Sequence, residues 1–96
     1  MTEHAREMHE HSLIAHEEER DGGKFSRREK EILIALGDQA LTDREILTRT
    51  AHQDMNAIRP RVTELIKRGT LAEIGSKTDQ KTGKRVRIVA RRPAGA

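Results

Sequence analysis

The sequence predicts one small α+β domain, mostly helical, in which three short helices are followed by two or three short β-strands. Two segments begin with a hydroxyl side chain that a glutamate follows three positions later, which is the capping pattern of a helix N-terminus. A third segment repeats apolar residues at a helical period and ends at a glycine. Near the C-terminus apolar and basic residues alternate, as they do in a half-exposed strand. These patterns favour a helical part joined to a β-hairpin.

The composition limits both the core and the class of protein. Of the 96 residues 33% are hydrophobic, and a single Phe is accompanied by neither Trp nor Tyr, so aliphatic side chains must build a thin core. Without cysteine, the chain can form neither a disulfide framework nor a thiolate zinc site. Because its apolar runs are too short for a bilayer and its N-terminus lacks the order of a signal peptide, we expect a cytoplasmic protein without membrane contact.

We divide the chain into an acidic tail, a domain and a short C-terminal tail. Residues 1–24 are rich in His and Glu, and the irregular spacing of their apolar residues predicts at most a frayed or partner-dependent helix. Two glycines near the end of this tail suggest a hinge. The domain spans residues 25–91. Residues 92–96, which contain Pro and Gly, are expected to be disordered.

The first two predicted helices both begin with a capping box. Ser26 and Glu29 open the first helix, which Gly37 ends. Thr42 and Glu45 open the second helix, which is two to three turns long. The few residues between the two helices can pair as a minimal strand. A short polar turn then leads to the third helix, as a helix-turn-helix requires.

The third predicted helix spans about residues 55–68 and ends at Gly69. Pro60 lies inside this segment, so the position of the N-cap matters. A cap at Asn56 keeps the proline in the first turn, whereas a cap at Asp54 places it deeper, where the missing N–H is more disruptive. We favour Asn56 as the cap, or a distorted first turn that starts at Asp54. Two strands, at residues 71–75 and 85–90, are expected to follow.

The charge of the chain is distributed unevenly. Residues 1–24 carry three basic and seven acidic side chains, whereas eleven basic side chains face three acidic ones after residue 55. A basic half suits a polyanionic partner, and an acidic tail suits self-restraint or a second partner. A merely solubilising surface would show similar charges, since charge alone discriminates weakly.

The order of these elements resembles the winged helix-turn-helix family, in particular its small bacterial and phage regulators. The segments that carry the resemblance are V-T-E-L-I-K-R-G-T-L-A-E-I-G and T-G-K-R-V-R-I-V, within residues 25–91. It implies a three-helix winged helix-turn-helix with a two- or three-stranded β-wing, and sequence-specific binding of double-stranded DNA by a transcriptional regulator. In such proteins the third helix lies in the major groove and the wing, here about residues 76–85, meets the backbone or minor groove. The alternative is a module in which the same fold docks another protein.

Candidate DNA contacts on the third helix lie opposite its apolar stripe or beside it. Asn56 and Arg59 suit base edges, because Asn can pair bidentately with adenine and Arg with guanine. Thr63 and Lys67 are better suited to phosphates. Arg61 flanks the same face. The glutamate at position 64 departs from this basic surface, and it either contacts cytosine or pairs with a neighbouring cation.

Candidate contacts in the wing are flexible cations that can follow phosphates and release condensed ions. They are Lys77, Lys81, Lys84 and Arg85. The same lysines can also protect strand edges against unwanted pairing, and both roles are compatible.

The sequence does not indicate an enzyme, a metal site or a cofactor. It has no Gly-rich phosphate loop, no cysteine nucleophile and no recognisable triad. Its five histidines lack the converging ligands of a metal site. Because Phe25 is the only aromatic ring, stacking on single strands is not expected. A homodimer on a two-fold DNA site, and a protein partner held by the N-terminal tail, are left open.

Overall fold

Within residues 12–92, the part of the chain that the structure describes, helices are combined with one small sheet. In this computed structural model residues 12–20 are helical and form α1. The elements that follow are α2 (Arg27–Leu36), β1 (Leu41–Thr42), α3 (Asp43–Arg49), α4 (Met55–Arg68), β2 (Leu71–Thr78) and β3 (Arg85–Arg91). The predicted α+β class is confirmed, and the three predicted helices correspond to α2, α3 and α4.

Both predicted capping boxes are present. Ser26 Oγ accepts a hydrogen bond from the Glu29 N–H at 3.1 Å, and Glu29 Oε1 accepts one from the Ser26 N–H at 2.8 Å. Thr42 and Glu45 form the same pair of bonds at the start of α3, at 3.2 and 2.9 Å. These bonds satisfy backbone donors that a helix start leaves open. Since Thr42 also belongs to β1, the first turn of α3 begins at the edge of the sheet.

The N-cap of α4 is Asp54, so the preference for Asn56 is wrong and the helix begins at the alternative that we gave. Asp54 has an extended backbone, and its Oδ1 accepts a hydrogen bond from the Asn56 N–H at 2.9 Å. This is the geometry that an N-cap needs. Because α4 begins earlier than favoured, Pro60 lies in its interior, where the absent N–H removes one helical hydrogen bond. The side chain of Asn56 is left exposed instead of closing the helix.

The hydrophobic core lies between the helices and one face of the sheet. It is aliphatic except for Phe25, as the composition predicts. Its buried members on the helices and strands of residues 25–91 are Ile32, Leu33, Leu36, Leu41, Ile46, Ile58, Val62, Leu65, Leu71 and Val89. Each large side chain removed from water contributes about 1.5–3 kcal/mol. Since Ile58, Val62 and Leu65 bury one face of α4, its opposite face is turned outward.

Residues 12–20 differ from the predicted frayed tail. Ile14 is only 4% exposed and belongs to the same core as Phe25. Glu17 is buried, and its Oε2 lies 3.1 Å from Nε of Arg91 on β3. The boundary that we placed after residue 24 therefore falls between segments that share one core. The apolar spacing could not show this, because the contact combines one buried isoleucine with ion pairs and hydrogen bonds of Glu17 and Glu18. Our expectations for residues 1–11 and 93–96 lie outside the described residues.

The sheet is antiparallel, with the strand order β1-β3-β2. β2 extends to Thr78, beyond the predicted end at residue 75, because its backbone pairs with β3 as far as Arg85. The register shifts between Glu73 and Gly75, and a bulge of this kind bends and twists a strand. From residue 73 onward β2 is exposed, so the outer half of the hairpin, which includes the wing, extends away from the core.

The hairpin turn closes within residues 76–85, the predicted extent of the wing. The Asp79 N–H donates a hydrogen bond to the Lys84 carbonyl at 2.8 Å, and the Gly83 N–H donates one to the Asp79 carbonyl at 2.7 Å. Gly83 has a φ of 71°, a left-handed conformation that favours glycine. The wing is thus a closed hairpin end and not an irregular loop.

Candidate nucleic-acid interface

A groove of about 500 Å³ separates the outward side of α4 from the hairpin. Met55, Arg59 and Thr63 line it on the helix, and residues of the hairpin line the other side. Its charged lining consists of five basic and two acidic residues: Arg44, Arg59, Lys84, Arg85, Arg87, Asp43 and Asp79. A concave surface with an excess of one charge concentrates ions of the opposite charge, so this groove suits an anion.

Three predicted contacts on α4 present unengaged side chains. Asn56, Arg59 and Lys67 are exposed. Within residues 12–92, no hydrogen bond or ion pair involves their side-chain polar atoms. Asn56 and Arg59 lie near the N-terminal end of α4, and Lys67 lies in its last turn. Their polar groups therefore remain available to a partner without breaking an internal contact.

Arg61 and Thr63, which were also predicted contacts, have partners in the protein. Arg61 Nη1 lies 3.3 Å from Glu64 Oε2, on the exposed surface of α4. Pairing is thus the observed arrangement of the glutamate, and solvent weakens such a pair enough for exchange. The Thr63 hydroxyl donates to the Arg59 carbonyl at 3.0 Å and accepts from Arg87 at 3.0 Å. A phosphate would have to compete with this network for Thr63.

The predicted wing cations divide into engaged and unengaged groups. Lys77 Nζ lies 3.2 Å from Glu45 Oε2, and Arg85 Nε donates to Ser76 Oγ at 3.1 Å. The ammonium groups of Lys81 and Lys84 are exposed and have no ion pair within the described residues. Both stand beside the turn at the outer end of the hairpin, where a phosphate backbone can approach them.

Asp79, which interrupts the basic wing, accepts hydrogen bonds from two sides. Its Oδ1 accepts a hydrogen bond from the Lys81 N–H at 2.9 Å, and its Oδ2 accepts one from Arg44 Nε at 3.0 Å. The backbone N–H of Lys81 and then the Arg44 guanidinium hold the pKa of Asp79 below its ordinary value. The ionised carboxylate therefore organises the turn, and its charge is paired with Arg44.

Three consecutive residues at the start of α3 pair with the hairpin, a contact that sequence analysis missed. The charges of these three residues alternate, and each one pairs with a residue of opposite charge on the hairpin. The pairs are Asp43 with Arg87 at 3.0 Å, Arg44 with Asp79 at 3.0 Å, and Glu45 with Lys77 at 3.2 Å. We call these six residues the α3–hairpin clamp. The charged triplet at 43–45 is visible in the sequence, but its partners lie more than 30 positions away and are defined only by the fold.

Glu45 has two functions in this clamp. It completes the capping box of α3 and also receives Lys77. The Thr42 backbone N–H, and then the Lys77 ammonium group, keep the pKa of Glu45 below its ordinary value against the effect of burial. The helix start and the wing are thereby connected through one carboxylate.

Arg87 lies where α3, α4 and the hairpin meet. Its Nε and Nη2 donate to the two oxygens of Asp43 at 3.2 and 3.0 Å. Nη2 also lies 3.0 Å from Thr63 Oγ1 and 3.3 Å from the Arg59 carbonyl. The Arg87 side chain is 22% exposed and that of Asp43 is 8% exposed, so water competes weakly for this pair.

A second concave surface lies between α2 and the end of α3. It is lined by Ile34, Ala35, Ala51 and His52, among others. Ile34 is 44% exposed, and His52 Nε2 lies 2.6 Å from Glu31 Oε2. Three arginines, Arg27, Arg28 and Arg49, also line this surface, but none of the predicted contact residues lies there.

No cluster that could hold a metal ion was found in residues 12–92. In the same range, no helix is both long and apolar enough to cross a membrane. Three of the five histidines, His4, His9 and His11, lie outside the described residues. Neither finding bears on them.

The fold and the groove define an α+β domain whose element order is consistent with a winged-helix layout. Comparison with protein-family models, with curated proteins and with solved structures finds no match to this chain. A functional interpretation therefore depends on the geometry and chemistry of the groove itself.

Proposed function

We propose that this chain is a winged helix-turn-helix protein that binds double-stranded DNA sequence-specifically and regulates transcription. In this proposal α4 enters the major groove and the wing contacts the backbone or the adjacent minor groove. The observation that carries it is the basic groove between α4 and the hairpin, with exposed Asn56 and Arg59 on the helix beside it. A polyanion that is wide enough to meet both the helix and the hairpin fits this arrangement.

Asn56 and Arg59 supply the proposed base contacts. Each presents a planar group with paired hydrogen-bonding atoms, and these match the major-groove edges of adenine and guanine. Both groups are free of internal partners within the described residues. The helix buries the face that carries Ile58 and Val62, so it can present these side chains to DNA without exposing the core.

Lys67, Lys81 and Lys84 supply proposed phosphate contacts at the end of α4 and in the wing. Their ammonium groups are exposed, and flexible cations of this kind neutralise phosphates without selecting a sequence. Arg61, Lys77 and Arg85 would join them by exchanging an exposed internal partner for a phosphate oxygen. Contacts to phosphates would position α4 for the base contacts.

The test is selection of bound duplexes from a random pool at near-physiological salt, with the molecular mass measured by light scattering on the same sample. We expect an enriched motif. A two-fold symmetric motif together with a dimeric mass would show that two chains bind it, whereas an asymmetric motif and a monomeric mass would indicate one. Failure of well-folded protein to enrich any motif would contradict the proposal.

A second function, docking of another protein, is favoured by a different observation. Ile34 is 44% exposed and Ile74 is 59% exposed, and neither lines the groove beside α4. Single exposed isoleucines are common on monomeric proteins, so this observation is weaker than the basic groove. If duplex selection fails, Ile34→Ser and Ile74→Ser are the variants to compare with the unaltered chain for loss of a protein partner.

A further inference from the structure

The guanidinium of Arg87 connects the two surfaces that the proposed DNA contact requires. On one side it reaches Asp43 at the start of α3, and on the other it reaches the Arg59 carbonyl and Thr63 on α4. Arg87 itself lies on β3, two residues from Arg85 and on the same face of that strand. A shift of its guanidinium would therefore change the position of the hairpin relative to α4.

The contact depends on the shape of arginine and not only on its charge. Two N–H groups of Arg87 meet two oxygens of one carboxylate, and the outer nitrogen continues to α4. A planar fork can form both parts of this contact at once, whereas the single ammonium of lysine cannot reproduce it. Since the side chains of Arg87 and Asp43 are 22% and 8% exposed, the arrangement is held mainly inside the protein.

Arg59 is the proposed base contact that this network holds. Its carbonyl accepts hydrogen bonds from Thr63 Oγ1 and Arg87 Nη2, at 3.0 and 3.3 Å, whereas its own guanidinium has no partner among the described residues. The turn of α4 from which Arg59 projects is thus anchored to β3. The same strand leads to the wing, where Lys84 is free to meet a phosphate.

We propose that Arg87 is a positioning residue that sets the separation of α4 and the wing, so that Arg59 and Lys84 contact one duplex simultaneously. This proposal rests on the proposed DNA binding. Its own guanidinium is committed to Asp43 and α4 and makes no DNA contact. The free energy of binding gained at the wing then depends on Arg87, although Arg87 and Lys84 share no hydrogen bond or ion pair.

Asp43→Asn provides a test in which charge and position predict opposite results. Removing a negative charge from the groove should strengthen DNA binding if only the net charge matters. Asparagine, however, offers one acceptor oxygen where Arg87 needs two. The wing should then lose its position relative to α4, and DNA binding should weaken by about tenfold, equivalent to about 1.4 kcal/mol. The matched control is Glu64→Gln, which removes a charge on α4 that has no bond to the hairpin, and we expect it to bind DNA more tightly.

Arg87→Lys provides the second test, because it retains the charge and loses the fork. We expect the log–log dependence of affinity on salt to become shallower, since Lys84 and its neighbours no longer contact phosphates together with α4. In a double-mutant cycle, Lys84→Ala should weaken binding in the original protein and weaken it less in Arg87→Lys. If Arg87 contacted a phosphate directly, lysine would replace it with the salt slope unchanged.

A control at the other end of β3 distinguishes a loss of stability from a loss of positioning. Arg91→Lys alters an arginine–carboxylate pair of the same kind, with Glu17 of α1, away from the groove. All variants are compared below their own thermal transitions. A loss of stability with unchanged DNA binding is expected for Arg91→Lys. Equal binding by Asp43→Asn, Arg87→Lys and the original protein would overturn the positioning role, whereas absence of binding by the original protein would instead contradict the proposed function.

Discussion

Arg59 is the residue on which the proposed sequence preference most depends. Its guanidinium is exposed and unpaired within residues 12–92, whereas that of the nearby Arg61 is paired with Glu64. We expect Arg59→Ala to relax the preference at one base pair by about 1–3 kcal/mol, because one bidentate contact to guanine is lost. The measurement is duplex selection followed by titration of single-base variants.

Arg61→Ala is the matched control for Arg59→Ala. It removes the same charge from the same helix, so affinity should fall, but the selected motif should persist. If both variants select the motif of the original protein, Arg59 does not contact a base.

A substitution at Lys84 tests whether the wing contacts phosphates. We expect Lys84→Ala to lower the slope of log affinity against log salt by about 1, and to leave the preferred sequence unchanged, because one phosphate contact is lost. The measurement is a salt titration of duplex binding. Lys24→Ala, which removes an exposed cation that does not line the groove, should leave the slope as it was; an equal change in both variants would argue against a specific role of the wing.

At the scale of the element, the first turn of α4 contains one residue that stabilises the helix and another that is proposed to contact DNA. Asp54 accepts the capping hydrogen bond, whereas the Asn56 side chain is exposed and unengaged within the described residues. Asp54→Ala should therefore lower the free energy of unfolding by about 1 kcal/mol, as urea denaturation would measure. Asn56→Ala should leave stability almost unchanged and weaken binding to the selected duplex. The reverse pattern would show that Asn56 is the cap after all.

The elements differ in how far local sequence determines them. Capping boxes at Ser26 and Thr42 were predictable because each involves residues three positions apart. The start of α4 was not, since Asp54 and Asn56 are both acceptable caps by type. The packing of α1 was missed for another reason. Its attachment depends on Ile14 and Glu17, whose partners lie far along the chain.

At the scale of the whole molecule, α1 is attached to the domain partly by a carboxylate that responds to acid. Asp21 Oδ2 accepts a hydrogen bond from the Thr70 hydroxyl at 2.6 Å, just before β2. The Arg20 guanidinium, and then Thr70, outweigh burial and hold the pKa of Asp21 below its ordinary value of 3.8. Because the unfolded chain binds this proton more readily, the stability from Asp21 is present above the ordinary pKa and is lost as the pH falls through the lowered value.

Asp21→Asn should therefore reduce the acid sensitivity of the protein. We expect its free energy of unfolding to be lower than that of the original protein at neutral pH, and to fall less steeply below a pH of about 4. Urea denaturation from pH 7 downward measures both quantities. Identical pH dependence in the two proteins would mean that Asp21 does not link proton binding to folding.

Local patterns were enough to predict the α+β class, the three helices of the core, the two strands that follow them and the basic character of the second half. Each of these follows from the periodicity of nearby residues, from caps and turns a few positions long, or from composition. The packing of α1 into the core and the pairing of Asp43, Arg44 and Glu45 with the hairpin became visible only in the folded chain. The folded chain also shows which proposed contacts have side chains without a partner among residues 12–92. These contacts join residues that are distant along the chain: an ion pair acts over a few ångströms, and only folding brings residues 43 and 87 that close.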